Sequence, residues 1–269
     1  MGIGGILSST YWSIYDIDLV QLNLEDSIGQ ENRNHLRTGL LISHLFSFLI
    51  PALFFLYFFE KQAFAWHSIS DIRDTLFQII IWSIIILSSY PIIIELTNLN
   101  ELIPIPDSLI SSQEQSFILL RHTLEMNNLT EFLLSIGLIG FAAAIGEELI
   151  FRKIIQNILI EKFSNVHTGI LLASIIFGLF HMQLERVIPL TFLGLILGYS
   201  YYITKNFLVP FLLHFLNNSL QVVGIYSLSR NGNLPKIQET PEVPTYIFIG
   251  STFIVSILLF YAINNKKNS

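Results

Sequence analysis

The sequence has no cysteine, which excludes disulfides, thiolate nucleophiles and zinc–sulfur centres. Charge is the next scarcity. Asp, Glu, Lys and Arg make up 13% of 269 residues, about half the ~25% of an average soluble domain. Charge this sparse does not cover a soluble surface, and it is far from the polar, charged composition of a disordered chain. Basic residues are scarcer than acidic ones, 14 against 20, for a net charge of −6. With no basic stripe, nucleic acid is not an expected partner. The first Lys or Arg is Arg33, so the positive n-region of a cleavable signal peptide is missing. The chain also lacks H-E-x-x-H and G-x-S-x-G motifs, and the internal repeat that marks many transporters.

Hydrophobic residues make up 52% of the chain. Six uncharged runs cover residues 38–59, 75–94, 163–184, 187–204, 206–229 and 243–265, with 22, 20, 22, 18, 24 and 23 residues. A helix needs about 20 apolar residues to cross roughly 30 Å of hydrocarbon, and segments in lipid must satisfy their own backbone groups. A seventh run, Phe132 to Gly146, has 15 residues and is followed by Glu147-Glu148 before the apolar pattern resumes. This predicts one long or bent helix from about 131 to 161, with the glutamates near mid-membrane and Gly146 as the bend. The expected fold is all-α: a polytopic membrane bundle of seven to eight transmembrane helices around an intramembrane polar cavity. Residues 1–37 are expected to form a poorly hydrophobic interfacial segment, and 38–269 the bundle. Residues 103–107 read as a turn, and Ser112 to Met126 as an amphipathic surface helix.

A charged side chain at a helix centre costs about 2.5–3.5 kcal/mol on insertion scales, so intramembrane ionisable groups are functional candidates by default. Glu148 and Arg152 are spaced i,i+4 and share a helical face. Their bland reading is a charge pair that only fixes helix packing. Phe177 and His181 lie one turn apart on the next helix, and His214 and Asn218 share a face two helices later. His35, His44, His67, His122 and His167 are read as ordinary hydrogen-bonded histidines. Amide hydrolysis requires an activated water, an acid for the leaving nitrogen and donors for the oxyanion. A buried Glu beside a His activates water, and a second His with an Asn amide donates to the oxyanion. The same Glu147, His181 and His214 would also suit a divalent metal such as zinc, with one position open to water. No cofactor is required by the first of these mechanisms.

The ordered set Glu147-Glu148-x-x-x-Arg152, Phe177-x-x-x-His181 and His214-x-x-x-Asn218 resembles the CPBP family of CAAX-protease and bacteriocin-processing (Abi) membrane endopeptidases, which includes the type II CAAX prenyl proteases. The first motif is the specific one. With 14 Glu and 7 Arg in 269 residues, it is expected by chance roughly 0.02 times, against roughly 0.6 for Phe-x-x-x-His. The resemblance covers about residues 75–228. It implies an integral membrane endopeptidase of the bacterial plasma membrane, acting on a membrane-associated peptide or protein. In it, Glu147 and His181 activate water and His214 and Asn218 form the oxyanion site. Glu148 and Arg152 orient the site, and Phe177 shapes the pocket wall. The family has been read both as metalloproteases and as glutamate-type enzymes, and both readings fit these residues. Lys153 stands where many members have a glycine after the motif arginine. The alternative expectation is a non-proteolytic scaffold or bacteriocin-immunity protein on the same fold.

Overall fold

The computed structural model describes residues 3–19, 21–23, 28–59, 72–230 and 241–265. His67 lies outside the described residues. Every regular element among them is a helix, as a chain of apolar runs in lipid requires. We number them α1 (Ile3–Ile14), α2 (Gln30–Phe59), α3 (Ile72–Ser88), α4 (Tyr90–Glu101), α5 (Asp107–Leu124), α6 (Leu129–Phe163), α7 (Val166–Phe180), α8 (Val187–Thr204), α9 (Leu208–Arg230) and α10 (Thr245–Asn265). A short 3-10 turn, Leu184–Arg186, precedes α8.

Five helices are long and apolar enough to cross a membrane: α2, α6, α8 with its preceding turn, α9 and α10. The pair α3 and α4 bends by 43° and makes a sixth span if taken together. Its break follows from Pro91 in the first turn of α4, which has no N–H for the ladder and clashes with the preceding turn. The protein is thus an integral membrane protein with five or six such helices among the described residues, fewer than the seven to eight expected. The shortfall sits at residues 163–184. There Asn165 caps α7 by accepting from Thr168 N at 3.0 Å, directly after Ser164 in the left-handed region. At the other end Met182 is again left-handed, at φ 55°. The caps confine α7 to 15 residues, about 22 Å at 1.5 Å per residue, short of a full hydrocarbon core. The N-terminal stretch folds as the 12-residue α1, shorter than the roughly 20 residues a crossing helix needs.

The chain divides into two compact units. The first comprises residues 1–55, 106–149 and 215–238. In it α1 packs antiparallel on α2, with Gly4 against Ser43 and Ser47 and with Trp12 against Gly39. Trp12 Nε1 donates to His35 O at 3.1 Å. Trp12, Ile28 and Leu36 form one apolar core. Leu124, Met126 and Val222 form another, bordered by Phe132 stacked on Tyr226.

The second unit comprises residues 56–105, 150–214 and 239–269. Its core gathers Trp82, Ile85, Leu193, Leu197, Leu213 and Val255 from α3, α8, α9 and α10. Small residues set the approach of α7 to α8, as is usual between membrane helices. A Cβ on Gly194 would lie 3.0 Å from Ser174 Cβ. Asn100, buried at the end of α4, donates to Leu184 O at 2.8 Å and accepts from Ile188 N at 2.8 Å. Removing both bonds leaves backbone groups unpaired, so Asn100→Ala is expected to cost about 1–3 kcal/mol. Chemical unfolding in detergent micelles measures this.

Candidate active site

The glutamate pair sits where α6 changes its winding. Asn128 starts the helix by accepting from Glu131 N at 3.0 Å, the usual Asn cap. The helix then winds as π over Ile136–Ala142, as α over Ala143–Glu148, and as π again over Leu149–Gln156. π turns account for well under 1% of residues in proteins and concentrate at functional sites. Here they bracket Glu147 and Glu148 on both sides. A third π turn, Leu45–Leu49, follows His44 in α2.

Within the first unit, Glu147 and Glu148 are 8% and 0% exposed. Carboxylates so deeply buried are costly unless neighbouring groups meet them. His44 Nε2 lies 3.5 Å from Glu147 Oε1 and 3.4 Å from Ala143 O. The Ala143 carbonyl can only accept, so Nε2 carries the proton. The His44 ring stacks on Phe48 at 4.6 Å and 21°. Gly146 permits this closeness, since a Cβ there would lie 3.1 Å from Phe48 Cβ. In the same unit Asn218 Nδ2 donates to Ile139 O at 3.0 Å, and Asn218 Oδ1 accepts from Asn217 Nδ2 at 3.2 Å. Those two bonds fix the amide plane, and the amide nitrogen carries a second N–H.

Within the second unit an aromatic cluster surrounds Phe177, which is fully buried. The Arg152 guanidinium lies over its ring, 4.9 Å from the centroid, a favourable cation–π geometry. Phe151 meets it edge-on at 5.2 Å, His181 at 4.7 Å and His214 at 5.8 Å. His181 Nδ1 lies 2.9 Å from Phe177 O. A carbonyl only accepts, so Nδ1 bears the proton. In the neutral ring Nε2 is then the basic nitrogen. His214 is buried and Arg152 completely so. The set predicted from the sequence thus divides between the units: Glu147, Glu148 and Asn218 in the first, and Arg152, Phe177, His181 and His214 in the second.

Residues 129–220 match the family model described as "Type II CAAX prenyl endopeptidase Rce1-like". The matched segment is similar to that family. It contains all seven residues just described. A curated protein of Bacillus subtilis (strain 168), named "Putative membrane peptidase YdiL", is 36% identical over 108 residues, 40% of this chain and 42% of that protein. The chain therefore matches about two fifths of the length of that relative. No solved structure matches.

Among the described residues, no three His, Asp or Glu side chains are gathered closely enough to hold a metal ion. His44, expected to be an ordinary hydrogen-bonded histidine, also lies beside Glu147. His44 is a single His in an apolar run, and nothing in the local pattern says that it faces Glu147.

Proposed function

We propose that the chain is a membrane endopeptidase that hydrolyses a peptide bond of a membrane-associated substrate, with Glu147 as general base and then general acid. The observation that carries this reading is the burial of Glu147 and Glu148 on a helix that winds as π on either side of them, within the Rce1-like segment. Hydrolysis then proceeds in two steps. Glu147 takes a proton from water, assisted by His181 Nε2, as the oxygen bonds to the substrate carbonyl carbon. The carbonyl π electrons move onto oxygen, where His214 and the second N–H of Asn218 donate to the oxyanion. When the intermediate collapses, the C–N bond breaks and Glu147 returns its proton to the leaving nitrogen. Arg152, held over Phe177, and Glu148 orient the site without touching the reacting atoms.

The test is cleavage of an internally quenched peptide library by the full chain in proteoliposomes. Cleavage by the unaltered chain is expected, with kcat lowered about 10²–10³-fold in Asn218→Ala, as for loss of one oxyanion donor, and KM little changed. A full chain that cuts no peptide, or an Asn218→Ala variant with unaltered kcat, overturns the reading or this part of it respectively.

A further inference from the structure

We propose that His44 is a positioning residue for Glu147, supplied by a helix outside the Rce1-like segment. The proposal rests on the reading of Glu147 as general base. A carboxylate at the end of a Glu side chain rotates broadly about its last torsion. A base that must face a water and then a leaving nitrogen gains from having that rotation fixed in advance. His44 has the means to fix it. Its Nε2 stands 3.5 Å from Glu147 Oε1, a distance of the kind that tightens when substrate excludes water. Holding one carboxylate oxygen sets the direction of the other.

Three features keep the imidazole in place, all within the first unit. Phe48 stacks against the ring and sets its plane. The π turn Leu45–Leu49 begins at the next residue and alters the direction in which His44 and Phe48 project. Gly146, adjacent to Glu147, leaves room for this face of α2: a Cβ there would lie 3.6 Å from His44 Cδ2 as well as 3.1 Å from Phe48 Cβ. The side chains of His44 and Glu147 are only 20% and 10% exposed, so little water competes for the interaction. His44 lies outside residues 129–220, so the base of the matched segment is oriented by a residue that the match does not include.

The experiment compares His44→Phe, His44→Gln and Glu147→Gln in the full chain, with the same quenched peptide library and with ¹⁵N-histidine spectra in nanodiscs. His44→Phe keeps a ring to stack on Phe48 but has no donor. Its kcat is expected to fall at least about tenfold, with KM within about twofold. The His44→Gln amide nitrogen reaches roughly the Nε2 position and is expected to restore kcat to within about threefold. The His44 ring nitrogen resonance, assigned by its loss in His44→Phe and in His44→Gln, is expected to shift in Glu147→Gln. Cleavage by His44→Phe at the unaltered rate overturns the proposal. So does a Gln variant no better than Phe, or a His44 resonance unmoved by Glu147→Gln. If Glu147→Gln itself cleaves normally, the endopeptidase reading fails and the proposal falls with it. Full loss in Glu147→Gln with none in His44→Phe removes only the proposal. If His44→Phe fails to fold, the Gln variant and the spectrum of Glu147→Gln still decide.

Discussion

Glu147→Gln is expected to lower peptide cleavage in proteoliposomes by at least about 10³-fold, because one side chain both removes and returns a proton and each such role is worth about 10²–10⁴. The substitution conserves shape. It keeps an oxygen able to accept from His44, and its amide fills nearly the same volume. What it loses is the capacity to take up a proton. The expected signature is therefore a collapse of kcat with KM little changed, since an interaction used only in the transition state is being removed. Folding should not suffer. Glu147 is buried, and replacing a buried charge by a neutral isostere relieves a desolvation cost. Thermal unfolding in detergent should show a midpoint equal to or above that of the unaltered chain. A Glu147→Gln protein that is both stable and fully active would remove the general base from the mechanism. Glu148→Gln offers the comparison on the same turn. A residue that orients the site should cost less than the residue that carries the proton.

The class of fold was open to reading because it follows from solvent physics. Where charge is absent for some 20 residues the segment is helical in lipid, and α2, α8, α9 and α10 follow from that alone. The glutamate pair was open to reading for the converse reason: two carboxylates interrupt an apolar pattern in which each is costly. What composition does not encode is winding. Nothing in Ile136-Gly137-Leu138-Ile139-Gly140 marks a π turn, since a π turn inserts one residue per turn without changing residue type. The α2 partner of Glu147 was hidden for the same reason. His44 reaches the carboxylate through a glycine on one helix and a π turn on the other, and neither feature belongs to the motif. The length of α7 was misjudged because the uncharged run continues through Asn165 and Met182. Capping by Asn165 and the left-handed residues at both ends stop the helix, while no charge does.

A charge at the start of α6 also holds the fold together, and the second large effect is expected from it. Glu131 is completely buried in the first turn of α6. Its Oε1 accepts from Arg33 Nε at 2.8 Å and Arg37 Nη1 at 2.9 Å. Its Oε2 accepts from Asn127 N at 2.9 Å, Arg33 Nη2 at 3.2 Å and Asn128 Nδ2 at 3.2 Å. The arginines extend the network. Arg33 also reaches Ile28 O and Glu125, and Arg37 donates to Thr123 O at 3.1 Å and Glu125 O at 2.6 Å. One carboxylate therefore ties α2 to the end of α5 and to the start of the helix that carries Glu147. Glu131→Ala leaves two buried guanidiniums without their shared counter-charge, a change expected to cost about 3–5 kcal/mol. Chemical unfolding of the full chain in mixed micelles should read that loss. Glu131→Gln should fall between, because it keeps one acceptor but turns an amide N–H₂ toward donors. If Glu131→Ala unfolds with the unaltered midpoint, the network adds nothing to stability and α6 is held by apolar packing alone. If it destabilises as expected, residual activity at low temperature separates the two roles of this end of the helix. A protein that is weakened but cleaves at the normal kcat shows that the network only holds α6 in place. A matching fall in kcat shows that Glu147 depends on where α6 begins.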